Sequence, residues 1–331
     1  MTIEIGILSV EHLHADAYAG VLDDIEDATL VGVAGDEAHT DATEGKAGEY
    51  GTEAYAPGTL LDRADGVVVC SANAAHREWI ELAAEAGVDV LCEKPLAPTV
   101  EDARATVEAC ETAGVHLGVA LPLRFSQPML NARDALEAGT LGDLAFLSGT
   151  NRGQMPGGWF ADPDRAGGGA VMDHTVHVLD AVRWLTGEDV REVYAETGTR
   201  FHDIAVEDVN LLSMELTDGT AFTLDGSWSK PDEYDTWGSA TLKLVGTDGV
   251  VEVDCFDQTV KQTRDTGDPG IHSVFWGPDP NRGLVEDFVA AVREDRSPAK
   301  TGAHAIHDIE VIQAAYAAAR GGEPVVISEV A

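Results

Sequence analysis

From residue 3 to residue 119, short apolar runs of strand length alternate with stretches of helix length. Strands are predicted at Ile3–Leu8, Thr29–Ala34, Gly66–Cys70, Val88–Cys92 and Val115–Val119. Helices fill the gaps at Ala15–Leu22, Ala38–Tyr50, Ala74–Ala86 and Val100–Ala113. Regular alternation of this kind implies parallel strands, because a parallel pair needs a long crossover rather than a tight hairpin. The expected class is α/β, with a doubly wound parallel sheet. Right-handed crossovers bring the chain after Leu8, Ala34, Cys70 and Cys92 to one sheet edge, where such sheets bind ligands.

Past Leu121-Pro122-Leu123-Arg124-Phe125 the pattern changes. A helix at Ser126–Ala138 precedes strands at Leu144–Thr150, Glu192–Gly198, Val209–Leu216, Thr220–Trp228, Ala240–Val245 and Val250–Val253. Turns such as Thr217-Asp218-Gly219-Thr220 and Thr247-Asp248-Gly249-Val250 join several of them. Strands in succession with hairpin turns predict an α+β domain with a large, open, mostly antiparallel sheet. Helices at Gly283–Glu294 and Ala303–Arg320 and a strand at Pro324–Ile327 close the chain. The expected division is residues 1–122 and 123–331.

Of 331 residues, 59 are acidic and 21 basic, a formal net charge of −38. Such a chain repels nucleic acid and anionic membranes, so neither is an expected partner. The acids are dispersed, and 44% apolar content is too high for disorder. An acidic surface with so few lysines (Lys46, Lys94, Lys230, Lys243, Lys261 and Lys300) suits high salt, where screening shortens the reach of self-repulsion. A halophile's cytosol is the expected setting. Cys70, Cys92, Cys110 and Cys255 lack CxxC spacing and read as buried thiols. The first residues carry no secretory pattern and no apolar run reaches membrane length, which together predict a soluble, cytoplasmic protein.

The strand at Val88–Cys92 ends abruptly in Glu93-Lys94-Pro95. Pro95 turns Lys94 away from α geometry, so the backbone sets the lysine's direction toward the ligand edge. Taken alone, a Glu-Lys pair at a strand end is more often a solvated ion pair. The loop after the first strand reads Leu8-Ser9-Val10-Glu11-His12-Leu13-His14, without the glycines of a dinucleotide fingerprint. Its amides and Ser9 can still donate to phosphate, and His12 and His14 are candidate phosphate contacts beside a plain surface or capping role. After the second strand, Asp36 is a candidate for the adenosine ribose, or a helix cap, or both. After the strand ending at Cys70 come the cofactor-binding candidates Ser71, Asn73 and His76; Asn73 is also a candidate helix cap, and His76, more often structural when taken alone, is placed by the strand edge as a cofactor or substrate neighbour.

In the second half, Gly167-Gly168-Gly169 opens a helix and permits close backbone approach. On that helix Asp173 and His177 are spaced i, i+4 and share a face, while His174 lies about a hundred degrees round. A carboxylate near an imidazole raises its proton affinity, as a general base near neutral pH requires. A structural Asp-His pair and a zinc site are the competing readings. Without HExxH or a cysteine ligand, no metal is expected.

The ordered set Asn73…His76, Glu93-Lys94-Pro95, Arg124-Phe125 and Gly167-Gly168-Gly169…Asp173…His177 resembles the Gfo/Idh/MocA family, over essentially the whole chain. The resemblance implies an N-terminal Rossmann domain, a C-terminal substrate and oligomerisation domain, and NAD(P)-dependent oxidation of a secondary alcohol on a sugar, polyol or related molecule. It implies that Lys94 contacts the substrate hydroxyl, His177 takes its proton, and Asp173 binds or orients, at one interdomain cleft. Glu93 holds Lys94 or the cofactor, and Arg124, Trp159 and His174 are substrate-wall candidates. The chain departs from the family in its glycine-poor loop and in Gly35, which stands where members carry the ribose acid. Asp36 compensates, which favours NAD over NADP. The resemblance also implies a homodimer or homotetramer. It leaves open a lyase or glycoside hydrolase that cycles hydride on retained NAD, and a non-catalytic NAD-binding sensor.

Overall fold

Ile5, Ile7 and Leu8 are fully buried, and they make β1 (Ile3–Leu8) an inner strand of a parallel sheet. In the computed structural model, which describes residues 2–264 and 270–329, the chain groups into two units. The first comprises the residues through Pro122 with Asp164–Gly167 and Asn281–Ile309. The second comprises Leu123–Pro163, Gly168–Pro280 and the residues from Glu310 onward.

The first unit's sheet adds β2 (Ala28–Ala34), β3 (Ala54–Tyr55), β4 (Gly66–Val69), β5 (Asp89–Cys92) and β6 (Leu117–Val119). Its order is β3-β2-β1-β4-β5-β6, all parallel. The crossovers are α1 (His14–Asp24), α2 (Thr40–Glu49), α3 (Pro57–Leu61), α4 (His76–Glu85) and α5 (Val100–Ala113). Thr99 caps α5 by accepting from the Asp102 N–H at 3.0 Å, and left-handed Gly114 ends it. β1 and β4 adjoin although β2 and β3 lie between them in sequence. The direction of winding reverses there, which places the switch point at the ends of Leu8 and Val69.

The second unit begins with α6 (Gln127–Glu137) and β7 (Leu144–Thr150). After α7 (Pro163–Ala166) come α8 (Ala170–Thr186), β8 (Val190–Gly198), β9 (Val209–Leu216), β10 (Ala221–Asp225), β11 (Thr241–Gly246) and β12 (Val250–Asp254). A hairpin of β13 (Thr259–Arg264) and β14 (Gly270–Phe275), then α9 (Pro280–Glu294), α10 (Gly302–Gly321) and β15 (Val325–Val326), complete the described chain. The large sheet runs β12-β11-β7-β10-β9-β8-β15 and is antiparallel except where β10 lies parallel to β7. Alternation buries Leu212, Met214, Phe222, Leu224 and Leu242 on one face. Gly149 on β7 lets α8 approach, since a Cβ there would lie 2.6 Å from Val178.

Several elements differ from expectation. β10 ends at Asp225, but the chain keeps its course to Trp228, whose N–H donates to Asp208 O at 2.8 Å in the register of the β9 pairing. The β13–β14 hairpin and the short β3 and α3 carry too few periodic residues to stand out in the sequence. Among the described residues, no helix is long and apolar enough to cross a membrane.

Candidate active site

In the first unit β5 delivers Glu93 and Lys94 to the carboxyl edge of the sheet. Glu93 is fully buried, yet donors surround its carboxylate. The Tyr18 hydroxyl and His14 Nδ1, the latter at 2.9 Å, reach Oε1, and the Lys94 N–H donates to Oε2 at 3.1 Å. His12 Nε2 lies 3.6 Å from Oε2. Burial would raise this carboxyl's pKa, but His12, His14 and Lys94 together hold it well below the usual range. Burial and the same carboxylate push the Tyr18 phenol well above its ordinary value. Glu93 thus ties the end of β5 to the loop after β1, and it anchors the buried Lys94 through the backbone.

Among the described residues, the ligand atoms of His12, His14 and Glu93 lie within 4.8 Å of one another, close enough for an ion. The His14 N–H, however, donates to His12 Nδ1 at 3.2 Å. That bond occupies Nδ1 and leaves Nε2 as the His12 nitrogen that faces Glu93. Within the trio, His14 Nδ1 is at hydrogen-bond distance from Glu93, while His12 Nε2 stands 3.6 Å from it.

The loop after β1 keeps the backbone shape of a glycine turn without the glycine. Ser9 has φ 64°, in the left-handed region, and its N–H donates to Ala34 O at 2.7 Å. At the end of β2, Asp36 caps the turn Glu37–His39, accepting the His39 N–H at 3.0 Å and facing His39 Nδ1 at 2.7 Å. Half of its side chain is still open to solvent. The structure also explains Gly35: a Cβ there would lie 2.3 Å from Thr43 Oγ1 on α2, so the acid is displaced by one residue.

After β4, three expectations change. Asn73 does not cap a helix; its Nδ2 donates to Ala166 O at 2.8 Å, and its Oδ1 is buried without a partner. His76 is fully buried, with Nδ1 2.9 Å from Pro95 O and Nε2 3.3 Å from Ser71 O. It is a strut under the turn that follows Lys94 and presents no surface to a ligand. Ser71 is likewise fully buried, its hydroxyl on Ala72 O at 3.2 Å.

Sequence reasoning passed over Glu11. Four donors converge on its carboxylate. Arg165 and His39 Nε2, the latter at 3.2 Å, face Oε1, and the Ser9 hydroxyl and the Ala72 N–H each lie 3.4 Å from Oε2. Apart from Ser9 in the same loop, these partners come from separate turns of the chain, so the local sequence carried no sign of them.

In the second unit α8 carries the other candidates. Asp173 is buried, with the Trp228 indole N–H donating to Oδ2 at 3.0 Å and His174 Nε2 3.3 Å from the same oxygen. His174 Nδ1 faces Gly226 O at 3.0 Å. His174, expected to face away from Asp173, therefore packs beside it at a buried position. His177 sits one turn beyond Asp173 and is half-buried. Arg124 is drawn from the expected substrate wall into a buried fork with Asp180, with Nε to Oδ2 at 2.6 Å and a terminal nitrogen to Oδ1 at 2.5 Å. Trp159 is buried and stacks on Phe160, centroids 3.9 Å apart.

The triple glycine serves packing. A Cβ on Gly168 would lie 2.0 Å from the Tyr316 hydroxyl, and one on Gly169 2.0 Å from Glu207 O. Glu207, from the turn before β9, caps α8 from outside: its carboxylate accepts the Gly169 and Val171 N–H groups at 3.0 Å, and the Tyr316 hydroxyl at 2.8 Å. Burial raises the Glu207 carboxyl despite these donors. No spacing rule links Glu207 to a helix that starts 37 residues earlier.

The left-handed turn at Ser9, the half-open Asp36 at the end of β2 and the orphaned Asn73 Oδ1 fit a dinucleotide along the first unit's edge. The comparisons agree. Residues 10–121 match a family model described as an oxidoreductase family with an NAD-binding Rossmann fold, and residues 129–252 match the GFO/IDH/MocA C-terminal domain. The chain is 27% identical over 341 aligned positions to D-apiose dehydrogenase of Paraburkholderia graminis, covering 97% of this chain and 87% of that protein. It is 29% identical over 272 positions to D-xylose 1-dehydrogenase (NADP(+)) 2 of Haloferax volcanii, covering 80% and 81%. The crystal structure of GenD2 from gentamicin A biosynthesis, in complex with NAD, superposes with a TM-score of 0.88 at 26% identity, covering 98% of this chain and 96% of that one. With its parallel dinucleotide-binding sheet and open mixed sheet, the chain belongs to the Gfo/Idh/MocA family of NAD-binding oxidoreductases.

Proposed function

We propose that this protein oxidises a secondary alcohol of a sugar, polyol or related compound, with Lys94, Asp173 and His177 acting on one substrate. The observation that carries the reading is α8, where a buried, hydrogen-bonded Asp173 is followed one turn later by the half-buried His177. Bound nicotinamide supplies the hydride acceptor. The chain's own residues handle the proton and the charge. As hydride leaves the carbinol carbon, His177 takes the hydroxyl proton, and the Lys94 ammonium stabilises the alkoxide that develops on oxygen. Asp173, fixed by Trp228, orients a second hydroxyl of the substrate. Ser9, His12, His14 and Glu93 shape the loop under the cofactor, and Asp36 accepts from the adenosine ribose, which favours NAD. A polyhydroxylated substrate suits a site built from an ammonium, a carboxylate and an imidazole, and sugar dehydrogenases are among the relatives.

The test is formation of NADH or NADPH over a panel of sugars, inositols and sugar acids at high KCl. The Lys94→Ala variant is expected to lose about a hundredfold or more in kcat, on the scale of one lost electrostatic donor. Its calorimetric Kd for NAD is expected to stay within a few-fold of wild type. Unchanged turnover in that variant removes Lys94 from the mechanism. Substrate consumption without net NADH would replace net oxidation by an internal redox cycle.

A further inference from the structure

We propose that Glu11 is an internal stand-in for the cofactor's pyrophosphate, and that Arg165 passes from Glu11 to the pyrophosphate when the dinucleotide binds. The inference rests on the dinucleotide reading of the first unit's edge and names the residues that exchange there.

The loop that should hold the phosphates, Ser9-Val10-Glu11-His12-Leu13, contains neither lysine nor arginine and does contain a carboxylate. That carboxylate sits among the donors a phosphate group would use. They are the main-chain N–H of Ala72 after β4, the hydroxyl of Ser9 after β1, the His39 ring and the Arg165 guanidinium. Ser9 and Ala72 flank the switch point between β1 and β4, where a dinucleotide crosses such a sheet. Arginine's planar fork suits phosphate and carboxylate alike.

Two anions cannot share this cradle. A pyrophosphate entering beside an ionised Glu11 would meet like charge at close range, in a partly buried site where water screens poorly. Glu11 lies on an irregular loop and its side chain can swing out, whereas the Ala72 N–H and the turn at Ser9 are fixed by the sheet. The exchange substitutes one anion for another on the same donors, and no bond or redox step is involved. In the free protein the carboxylate keeps Arg165, Ser9 and Ala72 in place, and it competes with the ligand for them.

Calorimetry on the full chain tests this with NAD, ADP-ribose, adenosine and inorganic pyrophosphate as separate probes. Glu11→Gln removes the competing charge and is expected to tighten NAD and ADP-ribose about tenfold, the scale of one charge-assisted contact. Arg165→Met is expected to weaken both about tenfold. Adenosine, which lacks phosphate, is expected to bind all forms alike, and pyrophosphate to bind Glu11→Gln more tightly than wild type. Circular dichroism of each variant verifies the fold, and Arg165→Lys, which keeps the charge, is expected to recover part of the loss. NAD binding that is unchanged or weakened in Glu11→Gln overturns the inference and leaves the proposed reaction standing. Tighter pyrophosphate binding in Glu11→Gln with no NAD binding by any form keeps the cradle and overturns the dehydrogenase reading. Absence of binding by either probe overturns both.

Discussion

Ser9 holds a backbone conformation that L side chains avoid, at a turn where a dinucleotide loop ordinarily places glycine. Ser9→Gly is expected to stabilise the first unit by about 1 kcal/mol, because left-handed strain costs a non-glycine residue on that order. Urea unfolding checks this, and a loss of stability would mean that the serine's contact to Glu11 outweighs the strain. His76 offers a pH test at the same scale. Burial holds its pKa below the ordinary histidine value, partly offset by Glu93 and by bonds to Pro95, Leu96 and Ser71, so the folded ring stays neutral. The unfolded chain takes up a proton near pH ~6.5 and the folded one does not. Stability is therefore full above that value and falls as the pH drops below it, toward the lower folded pKa. His76→Gln is expected to flatten the Tm profile below about pH 6.5, whatever its effect on Tm above that value. An unchanged slope would show that other groups set the acid limit.

At the scale of elements, α8 is the piece on which the proposed chemistry depends, and its start is made by residues distant in sequence. Its first turn leaves N–H groups unpaired, and Glu207 takes two of them while Tyr316 holds the same carboxylate. Glu207→Ala is expected to cost about 2 kcal/mol, since it removes a buried cap and strands donors away from water. Tyr316→Phe, which removes only the hydroxyl, is expected to cost about 1 kcal/mol. Thermal and urea unfolding of the two variants measures both, and equal, negligible losses would show that water caps the helix adequately. The pattern on α8 itself was legible. Gly-Gly-Gly, Asp173 and His177 stand within one short segment, and helical period places them. The partners were not: Trp228 lies beyond the end of β10 and 55 residues from Asp173, and only the fold brings its indole N–H to that carboxylate.

For the whole molecule, charge sets the conditions. At −38 the folded chain repels itself, and the Debye length falls from about 10 Å at 0.1 M salt to about 3 Å at 1 M. Tm is expected to rise from low to molar KCl; a flat profile would argue against adaptation to high salt. The outer face of the second unit's sheet exposes Phe146 and Leu211 among small polar side chains. We expect it to pair two copies, which light scattering at molar KCl reads directly, and a monomer there would dismiss it. The alternation that makes a parallel sheet, the strand ends along its carboxyl edge and the segment that bears Asp173 and His177 were all legible in the residues alone. Periodicity and turn chemistry are local, and a few consecutive residues express them fully. Which polar groups meet was set by the folded chain: Glu93 with Tyr18 and His14, Glu207 with α8, Arg124 with Asp180, and Glu11 with Arg165. Pairing of buried charges depends on where distant turns are brought together, and burial makes each such partner necessary without writing its address into the neighbouring sequence.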